Sequence, residues 1–178
     1  EVKQYEDAEK WILKGIKATK GKWSGIASGL REKLREIRTL EKNRHAVAAI
    51  QVEAFVQRPS IQAFTDCKKI CSRVKVWPKV RECLLLYLKQ GELPWKNREW
   101  ALPGTGLDAP AKESKDRFPM IRDLIDIAIL EKKPDEVLYW YDQLSHKRFG
   151  YYGVNDHEIA LSVQNHAPHR SVAIWQQK

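Results

Sequence analysis

From Tyr5 onward, apolar residues recur three and four positions apart, and the runs are broken at intervals by Gly, Asn or Pro. A spacing of three to four places side chains on one stripe of an α-helix, whereas a strand needs a spacing of two. No six-residue stretch alternates apolar with polar between turn residues, and the β-branched residues sit inside helical patterns. The chain is therefore expected to be all-α.

The first run, Ala8, Trp11, Ile12, Gly15 and Ile16, predicts a helix that stops at Gly21 with Lys17 and Lys20 in its last turn. A second has Ile26, Leu30, Leu34, Ile37 and Leu40 inward, with Asn43 as a left-handed stop. A third spans about Arg44 to Gln57 and ends before Pro59. Ser60 is placed to cap a fourth, with Ile61, Phe64, Cys67, Cys71 and Val74 inward. Pro78 opens a fifth, in which Val80, Leu84, Tyr87 and Leu88 face inward, and Gly91 closes it. Between about 91 and 118, Pro94, Pro103, Gly104, Gly106 and Pro110 break any regular run. Trp95, Trp100, Leu102 and Leu107 in that loop are expected to lie against helices, with both indoles substantially buried.

Helical spacing returns at Pro119 with Ile121, Leu124, Ile125 and Ala128, then at Pro134 with Val137, Leu138, Tyr141 and Leu144. Asn155 followed by Glu158 reads as a capping box. Pro168 opens a last helix with Val172 and Trp175 inward and Ile174 on the other side. Helix starts near 5, 44 and 78, and again near 119 and 155, recur at the period of helix-hairpin repeats. One hairpin cannot bury its own apolar stripe, so hairpins stack. The expected architecture is one domain over 1–178, a right-handed α-α superhelix of stacked hairpins with about nine helices, tetratricopeptide-like.

Three cysteines, Cys67, Cys71 and Cys83, are too few for a disulfide framework, and their apolar-face positions mark them as core. Gly104-Thr105-Gly106-Leu107-Asp108-Ala109 has the letters of a dinucleotide fingerprint, but Pro103 and Pro110 replace the strand and helix it requires. His157-Glu158-Ile159-Ala160-Leu161 opens like a zinc-protease helix, yet leucine holds the second ligand position. The spacing of His157, His166 and His169 matches no ligand pattern. No nucleophile sits in a recognisable elbow. The reading is a non-catalytic chain with no cofactor and no metal.

Charge is unevenly spread. Of the formal +9, the first hundred residues carry +10 and the remainder −1. Lys10, Lys14 and Lys17 form one helical stripe, and Arg31, Arg35, Arg38 and Lys42 continue it on the next helix. Clustered cations attract phosphate through a long-range field, so these seven are the candidate contacts for an anion or nucleic acid. Glu32, Glu36 and Glu41 lie close enough along the helix to neutralise some of them.

The segments Val76-Trp77-Pro78-Lys79-Val80-Arg81, Leu124 to Val137, and Ala173-Ile174-Trp175 resemble the helical-repeat region that follows the zinc finger in prokaryotic SWIM zinc-finger proteins. The similarity covers most of residues 40–178. It implies an α-α superhelix with a scaffold or interaction role. The defining finger, Cys-x-Cys followed by Cys-x-His, does not occur in this sequence, so no zinc function carries over. The expected function is a scaffold for a protein or peptide partner, with nucleic-acid binding through the basic stripes as the alternative. Without an apolar leader or an 18-residue apolar run, the expected location is cytoplasmic, with no membrane contact. The last helix lacks a stop signal, which suggests a fragment of a longer chain or an end that pairs with another molecule.

Overall fold

The computed structural model describes residues 2–19, 22–107, 117–146 and 155–176. Among them are nine α-helices and no strand: α1 Val2–Thr19, α2 Ser24–Leu40, α3 Arg44–Gln57, α4 Ile61–Arg73, α5 Trp77–Gln90, α6 Ile121–Leu130, α7 Pro134–His146, α8 Asp156–Val163 and α9 Pro168–Gln176. The predicted stop at Gly21 lies outside the described residues. The chain divides into two compact units, one of Glu1–Tyr87 with Glu92–Lys115, the other of Leu88–Gly91 with Asp116–Lys178.

In the first unit α1 packs on α2, α2 on α3 and α3 on α4; in the second α6 packs on α7, α7 on α8 and α8 on α9. This is the connectivity of stacked helix hairpins. None of the described helices is long and apolar enough to cross a membrane.

Three hairpin turns share one geometry. After α2, α4 and α6 the chain passes through a lysine with positive φ, Lys42 (58°), Lys75 (60°) and Lys132 (56°). Each lysine N–H returns to a carbonyl three residues back, at Thr39, Ser72 or Ile129. The next N–H, of Asn43, Val76 or Lys133, returns five back to Arg38, Cys71 or Ala128. This pair of bonds is the Schellman ending, which satisfies carbonyls a helix end leaves open and turns the chain into the next helix within two residues. The left-handed stop expected at Asn43 therefore falls one residue earlier. Asn43 instead caps α3, its side chain accepting from the Ala46 N–H at 3.1 Å. Its short amide reaches the first turn of α3, and the Lys42 side chain cannot.

Ser60 and Asn155 cap α4 and α8 as their sequence positions predict, accepting from Ala63 N and Glu158 N. Gly91 ends α5 at φ 77°, and a Cβ there would stand 2.7 Å from the Phe118 ring, so both backbone and space call for glycine.

The core of the first unit runs through Leu34, Val52, Phe55, Phe64, Leu84 and Tyr87, all nearly or fully buried. Cys67, Cys71 and Cys83 are buried too, as expected of core thiols. Burial pushes the Cys71 thiol up to about 12, so it behaves as a small hydrophobe. Tyr87 donates its hydroxyl to the Val56 carbonyl at 2.8 Å, in the last turn of α3, where no helical partner follows. Tyr87→Phe strands that buried carbonyl. It is expected to lower stability by about 1–3 kcal/mol, read as a lower urea midpoint at unchanged slope.

Several outer faces differ from the sequence reading. Trp11, expected inward, is 72% exposed; Ile26 and Leu40, also expected inward, are exposed as well, and Trp23 is 63% exposed. The face of α9 is reversed, with Ile174 buried and Val172 and Trp175 exposed. Ser171 Oγ donates to the Ala160 carbonyl and Arg170 pairs with Asp142 of α7. Those two contacts turn the 170–171–174 side of α9 toward α7 and α8. In the segment after α5, Trp95 and Trp100 are half-buried rather than substantially buried, while Pro94 and Leu102 are buried.

Candidate binding groove

The ends of three helices meet in the first unit. The last turn of α2, the first turn of α3 and the last turn of α4 enclose a groove of about 680 Å³. Half-buried Val47, Ile70 and Val74 supply its apolar lining, and Arg38, Lys42, Arg44 and Arg73 its charge, with Thr39 beside them. No acidic residue is among those that line it. The Schellman turn at Lys42 is what brings α2 and α3 together here, since it reverses the chain while keeping Arg38 and Arg44 on the same edge.

The seven cations singled out by spacing separate into different environments. Lys10 pairs with Asp7 at 3.4 Å, and Lys14 lies 5.0 Å from the Trp11 ring centre. Arg35 pairs with Glu32 and reaches Gln51; Arg38 pairs with Glu9 on α1 and with Glu41 at 2.9 Å. Arg31 is half-buried close to Glu53, and that burial pulls its pKa down. Lys17 and Lys42 form no ion pair among the described residues. The stripe is thus largely neutralised from within, and only Arg38 and Lys42 of the seven line the groove.

Arg44 and Arg73, the other two cations, carried no signal in one-helix spacing, because they sit on different helices from the stripe. Both are exposed, and neither forms an ion pair among the described residues. Arg44 was nevertheless conspicuous in one respect. It occupies the first turn of α3, which holds no acid, at the positive end of the helix dipole.

A second feature that spacing missed is Glu53, the one buried charged residue among those described, at 6% exposure. Thr105 Oγ1 donates to Glu53 Oε1 and in turn accepts from the Leu107 N–H at 3.1 Å, so the carboxylate holds the Gly104–Leu107 segment. Thr105 and Leu107, which make this contact, fall at variable positions of the run that imitates a dinucleotide fingerprint. Glu53 Oε2 and Arg31 Nε have no hydrogen-bond partner among the described residues. Burial raises the Glu53 pKa to about 7, opposed by the Thr105 bond and the Arg31 charge. The signal was a lone acid in the stretch Ile50–Val56, whose one other polar residue is Gln51.

His157, His166 and His169 form no ligand cluster. His166 pairs with Asp135 at 2.7 Å and the His157 ring lies 5.1 Å from Trp175. Among the described residues no three His, Cys, Asp or Glu side chains gather into a metal-binding group. No family model matches the chain, and neither a curated protein nor a solved structure does.

Proposed function

We propose that the chain is a non-catalytic scaffold of helix hairpins that binds a segment of another protein. The observation that carries this reading is the outer face of α8 and α9. Trp175 is 53% exposed, Val172 lies one turn before it, and Leu161 lies one turn after His157, which meets the Trp175 ring. Scattered apolar residues are ordinary on a surface, but a row of them across a hairpin is what interfaces cover. Covering apolar area is worth about 25 cal/mol per Å², and an indole with two aliphatic neighbours supplies a few kcal/mol. The resemblance to the helical region of SWIM zinc-finger proteins supports the same role.

A photo-crosslinking amino acid placed at Val172 of the full chain, with Glu82 on α5 as the exposed control, tests this. A discrete protein adduct is expected at Val172, absent at Glu82 and lost with Leu161→Lys. Equal labelling at both positions would overturn the reading. The nucleic-acid alternative is weakened by the internal pairing of the basic stripe.

A further inference from the structure

We propose that the groove between the ends of α2, α3 and α4 binds an acidic peptide segment, seating an aliphatic side chain against Val47, Ile70 and Val74 and its carboxylates against Lys42, Arg44 and Arg73. The proposal rests on the scaffold reading and names a partner chemistry for a surface in the other unit.

Three observations converge on that ligand. The first is unbalanced charge. Four cations line one concave site, and while Arg38 is satisfied by Glu9 and Glu41, the other three have no counter-ion among the described residues. The second is placement against the helix dipole. A cation in the first turn of a helix is opposed by the positive end, by about 0.3–1 kcal/mol, and Arg44 stands there with no acid in that turn. An external anion at that spot would meet a helix amino terminus and three cations together, turning an unfavourable arrangement into a favourable one. The third is the lining. About 680 Å³ holds a few residues of extended chain, and half-buried aliphatic groups fit a Leu, Ile or Val side chain. No aromatic residue is among those lining the groove, so it lacks the stacking platform on which single-stranded nucleic acid relies.

The experiment is fluorescence anisotropy on the full chain with a labelled hexapeptide of four glutamates around two leucines. Three comparison ligands are a hexapeptide with serine in place of leucine, inorganic triphosphate, and a hexanucleotide. Saturable binding of the leucine peptide is expected, at least about tenfold tighter than the serine peptide, and weakening with salt. Arg44→Glu is the informative variant, because an acid in the first turn of α3 favours the helix. It should keep or raise the thermal midpoint while lowering affinity by about tenfold or more. Lys17→Glu makes the same charge change on α1 and should leave binding within about twofold.

Equal affinity for the serine peptide, triphosphate or the oligonucleotide would show a charge patch without peptide selectivity and would overturn the proposal. So would full binding by Arg44→Glu, an equal loss in Lys17→Glu, or no saturable binding. None of these results bears on crosslinking at Val172, so failure of this groove and failure of the scaffold reading remain distinguishable.

Discussion

Phe64→Ala is expected to destabilise the first unit by about 3–5 kcal/mol. Phe64 on α4 is fully buried. Its ring centre lies 6.2 Å from that of Phe55 on α3 and 5.1 Å from that of Trp77 at the start of α5, edge to face with the indole. Removing it takes away the ring that joins three helices, and a close-packed interior does not collapse to refill the space. Against a total stability of roughly 5–15 kcal/mol for a domain, such a loss is large enough to populate the unfolded state. Ile61→Ala, one turn earlier on the same helix at 38% exposure, should cost less than about 1 kcal/mol. Equilibrium denaturation of both variants measures the difference. A Phe64→Ala protein within about 1 kcal/mol of the parent would mean that these rings do not form the centre of the unit.

Lowering the pH from 8 to 5 is expected to stabilise the protein through Glu53, by on the order of 3 kcal/mol at most. In the fold its pKa is about 7, against 4.5 for an ordinary glutamate, because burial disfavours the charged form. Below 4.5 the carboxyl is protonated folded and unfolded. Between 4.5 and 7 the native state keeps a proton that the unfolded chain has released, so stability falls as pH rises across that window and levels off above it. The groups facing Glu53 are Thr105, which donates to Oε1, and Arg31, whose charge pulls the pKa back down without reversing the shift. Glu53→Gln retains an acceptor for Thr105 and carries no charge. It should remove this component of the pH dependence and exceed the parent in stability at pH 8. Urea midpoints at pH 5, 6, 7 and 8 for parent and variant isolate the residue, since histidines contribute equally to both. Parallel curves would place the titration elsewhere.

Local signals were legible in the sequence to within a residue or two. The bounds of α3, the caps at Ser60 and Asn155, the stop at Gly91 and the inward faces of α5 and α6 all follow from hydrogen-bond needs and spacing that a short segment settles by itself. Expectations failed where a face had to be assigned to a neighbour. Trp11, Ile26 and Leu40 belong to the same predicted apolar stripes as buried Ile16, Leu34 and Ile37, yet all three are exposed. On α9 the period identified two opposed sides and only the polar contacts of Arg170 and Ser171 chose between them.

The candidate groove divides in the same way. Arg38 and Lys42 could be named from a one-helix stripe, but Arg44 and Arg73 join them only because a Schellman turn reverses the chain at Lys42 and α4 returns alongside α3. The sequence by itself determined the all-helical character, the hairpin turns and the basic first half, because these depend on neighbours within a few positions. Tertiary structure alone decided which apolar stripes are covered, which cations find partners, and that Glu53 is buried beneath Thr105. Those outcomes depend on how residues far apart in sequence desolvate one another, and spacing along one helix carries no record of that.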